Sequence, residues 1–283
     1  MLTAEQKCEF KDNGFIILPD FKSCAEITAL KFRANEIAAS HDFDVSKEVF
    51  STDRQRGPQA DRVQDYFLGS ANEIRCFFEE KAFGTDGSLV QPLEQSINKI
   101  GHAMHDLDPV FHKFSHGDKL AELAADVGLS QTQIWQSMYI FKQPRIGGEV
   151  GWHQDTGFFY TTPQSVTTFW FAVDDATLEN GCIWVEPGGH KSSLRQQFTR
   201  DGRQTKLIDL DTTPWPNTKS AVPVEVKAGT LVCFNGMLPH YSAPNTSDHA
   251  RHAYTLHVTD GACRYAPENW IQRSNTLPVC GFV

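Results

Sequence analysis

Trp152-His153-Gln154-Asp155 puts an imidazole and a carboxylate two residues apart, just after the turn Gly147-Gly148. In an extended segment, residues two apart point to the same side. His153 and Asp155 can therefore close on one ion while Gln154 points away. A distant second histidine would complete a 2-His-1-carboxylate set, which takes one face of an octahedral Fe(II) and leaves the opposite positions open. His240 can supply it. The chain there reads Gly229-Thr230-Leu231-Val232-Cys233-Phe234, then Pro239-His240-Tyr241-Ser242, then Pro244-Asn245-Thr246-Ser247, and then Arg251. That order gives a strand, a histidine at its exit, a turn, and an arginine at the start of the next strand. Arginine suits a carboxylate because its planar fork donates two parallel hydrogen bonds. Set beyond an iron, Arg251 would clamp the far carboxylate of 2-oxoglutarate while the 2-oxo acid end chelates the metal. Ser242, two residues from His240, could donate to the same carboxylate.

A lone His-x-Asp is weak evidence in a chain with 11 histidines. A second one, His116-Gly117-Asp118, is better explained by Asp118 as a helix N-cap before Lys119-Leu120-Ala121-Glu122-Leu123. Taken singly, His240 reads as a loop histidine, and Arg251 as a surface charge paired with Asp248 or Asp260. Their order downstream of the Trp-His-x-Asp segment is what argues for a site.

The elements that must hold these residues fall into two textures. Through residue 130 the sequence reads mainly as helix. Thr3 caps a helix over 4–11, Phe15–Leu18 is a buried strand, and Ser23 opens a helix to Ala39 with Ile27, Leu30, Phe32 and Ile37 as its apolar stripe. Residues 41–66 are polar and irregular, and further helices are expected near 71–80, 91–105 and 118–127. Beyond 130, short β-branched and aromatic runs alternate with turn residues: 134–141, 165–173, 182–185, 222–226, 230–234 and 253–258. Strands without helices between them predict an antiparallel double-stranded β-helix (a jelly roll) rather than βαβ units. The expected organisation is one domain over 1–283, with a mainly helical wrap (1–130) around a jelly-roll core (131–283). The mouth of such a barrel can hold a ligand.

Composition excludes other classes. The 283 residues, 40% hydrophobic and 22% charged, are an ordinary globular mixture. No apolar run reaches the roughly 18 residues of a membrane span, and the charged N-terminal stretch does not read as a signal peptide. Seven cysteines stand singly with no CxxC pair, as expected of free thiols in a reducing compartment. A formal charge of −9 argues against nucleic acid as a partner. A cytoplasmic monomer acting on a small molecule is the expectation.

Together the residues resemble the phytanoyl-CoA dioxygenase family, marked by a Trp-His-Gln-Asp segment, a Pro-Gly-Ser-His-like turn, and a histidine followed eleven residues later by arginine. His240 and Arg251 have that separation, and Pro187-Gly188-Gly189-His190 resembles the turn with Gly189 in place of serine. The likeness extends over Ser96–Ala103, Gln136–Pro144, Asp175–Cys182 and Pro267–Trp270, nearly the whole chain. The resemblance implies a jelly roll using Fe(II), 2-oxoglutarate and O₂, with co-substrate contacts at Lys99, Met138, Trp170, Ser242 and Arg251. On their own terms Lys99 reads as a surface charge, and Met138 and Trp170 as core. In halogenating relatives the carboxylate ligand is lost, so Asp155 favours hydroxylation, with 2-oxoglutarate going to succinate and CO₂. The rival readings are a metal-dependent cupin-like enzyme that is not an oxygenase, and a non-catalytic metabolite-binding protein. The prime substrate is not legible. Five basic residues against one acid in 191–206 raise the expectation that Arg195, Arg200 and Arg203 attract an anionic or acyl-linked group.

Overall fold

The computed structural model describes residues 1–42, 49 and 60–283. Its helices are α1 (Ala4–Asn13), α2 (Cys24–Ala39), α3 (Ala60–Gly69), α4 (Met104–Leu107), α5 (Pro109–Ser115) and α6 (Asp118–Asp126). Its strands are β1 (Phe15–Leu18), β2 (Ile74–Phe78), β3 (Ile97–His102), β4 (Thr132–Ile140), β5 (Val150–His153), β6 (Thr161–Thr162), β7 (Thr167–Ala172), β8 (Ile183–Val185), β9 (Gln196–Asp201), β10 (Gln204–Asp209), β11 (Val222–Val224), β12 (Leu231–Asn235), β13 (His240–Ser242), β14 (Ala253–Asp260) and β15 (Arg264–Tyr265).

Seven strands form a major sheet in the order β1-β12-β7-β14-β4-β3-β2, and four form a minor sheet in the order β11-β8-β13-β5. All their pairings are antiparallel. The two sheets face each other as a jelly roll. Trp170, Ala172, Val232, Phe234 and Ala253 of the major sheet pack against Ile183, Val185 and Val224 of the minor one. The other face of the major sheet carries Tyr139, Phe169, Phe171, Tyr254 and Leu256, which pack on the helices. Every residue of β7 and β14 is buried because both faces are covered.

The N-terminal helices begin where their caps predict. Thr3 and Ser23 each close a capping box, with Gln6 and Glu26 respectively. The buried stripe of α2 is Ile27, Leu30, Ala34 and Ala38, so Phe32, 65% exposed, is not part of it. Residues 118–127 are helical as expected. However, Asp118 is the first helical residue rather than the cap; Gly117 occupies the cap with no side-chain bond. The expected helices near 71–80 and 91–105 are strands β2 and β3, flanked by short 3₁₀ turns and α4. Their runs Ile-Arg-Cys-Phe-Phe and Ile-Asn-Lys-Ile-Gly-His are buried almost throughout, which removes the alternation that marks a strand. Among the described residues, the first 130 positions thus supply three strands of the major sheet as well as six helices. Of the irregular stretch 41–66, residues 60–66 belong to α3, and most of the rest lies outside the described residues. The basic segment after residue 191 contains β9 and leads into β10, a hairpin turned at Gly202 (φ +59°).

Candidate metal and co-substrate site

Register decides which side chains reach the space between the sheets. Met138 on β4 pairs with Thr255 on β14, and Thr255 with Trp170 on β7, so all three lie in one row on one face. Two residues along the strands, Lys99, Ile140, Ala253 and Ala172 form a second row. Two residues the other way, Gln136, His257 and Thr168 form a third. Trp170, Ala172 and Ala253 belong to the inter-sheet core, so this is the inner face.

The minor sheet brings the three candidate ligands together. His240 on β13 pairs directly with His153 on β5, and their ring centroids are 4.0 Å apart. Asp155 follows in a 3₁₀ turn, with Oδ1 3.6 Å from Nε2 of both histidines. Among the described residues this is the one group of three or more His, Cys, Asp or Glu residues disposed to hold a metal, its ligand atoms all within 4.8 Å. Nδ1 of His153 lies 2.8 Å from the Gly151 carbonyl, and Nδ1 of His240 lies 3.0 Å from that of Leu238. Those carbonyls must receive N–H groups, so each Nε2 is left with its lone pair facing Asp155, the tautomer a metal requires. Burial, reinforced by His240, brings the His153 imidazole down to about 3, so it is neutral and ready to ligate. Burial pushes the Asp155 carboxyl up, yet His240 and His257 outweigh it and hold the group well below the usual carboxylate range. His153 keeps 24% of its side chain exposed against 6% for Asp155, so the group opens to solvent on the His153 side.

Two residues that sequence reasoning missed complete the surroundings of Asp155. Its Oδ2 accepts a hydrogen bond from the Thr168 hydroxyl and lies 3.4 Å from Nε2 of His257. A signal existed in an ionisable histidine within the strand-forming run Ala253–Val258. Its meaning depends on the β7–β14 register, which cannot be read locally. Gln154 points away, as expected, and ties the carbonyls of Ser193 and Met237 to the Arg195 N–H.

Arg251 lies two residues before β14, 2% exposed, with its guanidinium 5.5 Å from the centroid of Trp170. Nη2 is 3.4 Å from the Ser242 hydroxyl, while Nε and Nη1 are buried without a hydrogen-bond partner. Neither acid weighed as its partner takes that role: Asp248 pairs with Arg145, and Asp260 accepts from Ser130. The Ser242 hydroxyl donates to the Gly181 carbonyl at 2.9 Å, so it orients Arg251 rather than waiting to donate to a ligand. Thr255, beside Trp170, has an unpartnered hydroxyl as well. Trp170 is two residues from Thr168, a strand advance of roughly 7 Å. That advance along β7 separates the Thr168–Asp155 contact from the Trp170–Arg251 contact. Lys99 is buried, and desolvation lowers its ammonium to about 7 despite Glu79.

The expected anion-attracting loop divides. Arg195 is 4% exposed, stacked 4.9 Å from Trp215 and 3.8 Å from Glu186, and is not free to meet a ligand in solution. Arg200 and Arg203 line a separate cleft of about 520 Å³ with Asp65, Asn72 and Arg273. His190 packs on α1, its Nε2 3.1 Å from the Lys11 carbonyl, and is not a ligand.

A model of the phytanoyl-CoA dioxygenase (PhyH) family matches residues 10–253. The chain belongs to the phytanoyl-CoA dioxygenase family. It is 45% identical over 274 residues to an Arabidopsis thaliana protein named phytanoyl-CoA dioxygenase, covering 96% of this chain and 94% of that protein. It is 40% identical over 282 residues to the Bos taurus phytanoyl-CoA dioxygenase domain-containing protein 1, covering 98% and 97%. The crystal structure of SnoK, a non-heme alpha ketoglutarate-dependent carbocyclase from nogalamycin biosynthesis, superposes with a TM-score of 0.66 at 17% identity, covering 98% and 96%. That likeness confirms the jelly roll. Within the phytanoyl-CoA dioxygenase frame, the His-Asp-His group and Arg251 fall on the inner side of facing sheets, where a barrel of this kind holds its ligands.

Proposed function

We propose that this chain is an Fe(II)- and 2-oxoglutarate-dependent dioxygenase that hydroxylates a small molecule. The observation that carries the reading is Arg251, a buried guanidinium with two unpartnered nitrogens close to a converging His-Asp-His set. A buried charge without its partner is costly, and the carboxylate of a co-substrate would remove that cost. His153, Asp155 and His240 would hold the metal, and their donor set suits Fe(II). Bound there, iron with 2-oxoglutarate and O₂ supplies the oxidising power for C–H hydroxylation, with succinate and CO₂ as co-products.

The chain's own residues do the positioning. The Gly151 and Leu238 carbonyls fix the tautomers of His153 and His240. Thr168 and His257 engage Oδ2 of Asp155 and leave Oδ1 for the metal. Arg251 binds the distal carboxylate, Trp170 and Met138 form dry walls beside it, and Lys99 adds positive charge from the adjoining row.

An aromatic path supports a partly apolar substrate. Phe158 lies 6.1 Å from His153, Phe198 lies 5.7 Å from Phe158, and Phe67 lies 6.5 Å from Phe198 and stacks on Trp270. Arg200 is two residues beyond Phe198 on β9 and opens onto the polar cleft. A carboxylate or phosphate on the substrate fits that end, in competition with the Arg203–Asp65 pair. The same reading keeps the enzyme a cytoplasmic monomer, checked by elution at the mass of one 31.8 kDa chain and by recovery in the soluble cell fraction. No helix among the described residues is long and apolar enough to cross a membrane. The decisive experiment incubates protein, Fe(II) and 2-oxoglutarate with a metabolite extract under ¹⁸O₂. A product that gains one ¹⁸O atom and depends on 2-oxoglutarate is expected. Its absence, with no succinate formed, overturns the reading.

A further inference from the structure

Lys142 is 2% exposed and has φ +42°, a left-handed conformation that non-glycine residues rarely adopt. The bend aims its carbonyl at two donors, the Arg251 backbone N–H at 3.2 Å and Asn245 Nδ2 at 2.9 Å. Asn245 Nδ2 also donates to the His249 carbonyl, which closes the 245–251 turn on Lys142. The ammonium donates to the Gly148 carbonyl at 2.6 Å, two residues before β5, and lies 3.5 Å from the Ser242 carbonyl on β13. Glu79 Oε2 accepts from the Gly148 N–H at 3.2 Å, so a carboxylate and an ammonium grip the two polar groups of one glycine. Gly181, which takes the Ser242 hydroxyl, has φ +82°, and a Cβ there would fall 2.6 Å from Lys142 Cε. The Ala243 carbonyl, 2.5 Å from that Cβ position, and the positive φ both require glycine there, which leaves the Lys142 chain its space.

One residue thus joins three parts of the site: its ammonium ties the approach to the His153 strand to the His240 strand, and its backbone carbonyl holds the turn that delivers Arg251. We infer that Lys142 is a positioning residue for the co-substrate, holding Arg251 and Ser242 at the spacing that a distal carboxylate requires. The inference rests on the reading of Arg251 as the carboxylate clamp. Arg251 and Lys142 are both basic in one dry region, and burial together with Arg251 brings the Lys142 ammonium down to about 7. A bound dicarboxylate offsets that repulsion and tightens the arrangement. The competing account is a lysine that only satisfies two buried carbonyls, in which case its loss would weaken every site in the barrel together.

The test is equilibrium binding under anaerobic conditions to the full-length protein, with Mn(II) alone and then with 2-oxoglutarate added to the Mn(II) form. Lys142→Met is expected to raise the dissociation constant for 2-oxoglutarate by about tenfold or more while that for Mn(II) stays within about twofold. Lys142→Arg, which keeps a charged donor, is expected to recover part of the loss. If the methionine variant does not fold, Lys142→Gln, which is uncharged and too short to serve both the Gly148 and Ser242 carbonyls, is read in the same way. Unchanged 2-oxoglutarate affinity, or a parallel fall in Mn(II) and 2-oxoglutarate affinities, overturns the inference. Failure of the wild type itself to bind 2-oxoglutarate would instead overturn the proposed function.

Discussion

Nε2 of His257 lies 3.4 Å from Oδ2 of Asp155, on the opposite side of the carboxylate from His153 and His240. With the Thr168 hydroxyl on the same oxygen, this contact turns Asp155 so that only Oδ1 faces the two histidines. His257→Leu removes the partner without touching a ligand atom. Outer partners of metal ligands typically contribute about 10–100-fold to metal affinity. The expected outcome is Mn(II) binding weakened within that range with a folded protein. Unchanged affinity would reduce His257 to a packing residue stacked on Phe159.

Arg251→Met should leave Mn(II) binding intact and sharply weaken 2-oxoglutarate. Losing one partner of a buried charge-assisted pair costs about 2–5 kcal/mol, at least tenfold in affinity. Titration of the Mn(II) form with 2-oxoglutarate reads this directly. An unchanged dissociation constant would transfer the carboxylate to another base, with Lys99 first in line.

Lys99 sets a pH dependence. Desolvation lowers its ammonium to about 7 in the free protein, and a bound anion favours the charged form. Below pH 7 Lys99 is already charged and binding needs no proton. Above pH 7 binding must take one up, so the dissociation constant for 2-oxoglutarate rises by up to about tenfold per pH unit. Calorimetric titration at pH 8 in two buffers of different ionisation enthalpy should reveal the uptake, and Lys99→Gln should make the profile shallower, leaving the share of Lys142, also brought down to about 7. A flat wild-type profile between pH 7 and 9 would remove Lys99 from the co-substrate site.

Arg200 and Arg203 are the part of the basic segment still open to a substrate anion. Once a substrate is found, kcat/KM should fall with ionic strength in the wild type. An Arg200→Gln, Arg203→Gln double variant should be slower and less salt-sensitive. Parallel salt profiles would assign the hairpin to surface solubility.

The parts legible from sequence share a local cause. Thr3 and Ser23 announce their helices because capping is settled within four residues. His153 and Asp155 announce a site because their spacing suffices to bring them together, and the order of His240 and Arg251 extends that logic along one strand-turn-strand unit. What escaped depends on pairing between distant segments. β2 and β3 are covered on both faces and lose their alternation, so Lys99 looked like a surface charge when it is buried inside. Arg195 looked available, yet its backbone is fixed by Gln154, some forty residues earlier, and its side chain is covered by Trp215. His257 and Thr168 meet Asp155 only through the register of β7 against β14.

The central claim is that the His-Asp-His group and Arg251 together turn over 2-oxoglutarate. The most direct measurement follows ¹³C-labelled 2-oxoglutarate by NMR in aerobic protein with Fe(II), with and without a metabolite extract. Purified Asp155→Ala serves as the control. The account predicts succinate from the wild type, slowly without extract and faster with it, and none above background from Asp155→Ala. Equal succinate from wild type and Asp155→Ala, or none from either, would contradict it.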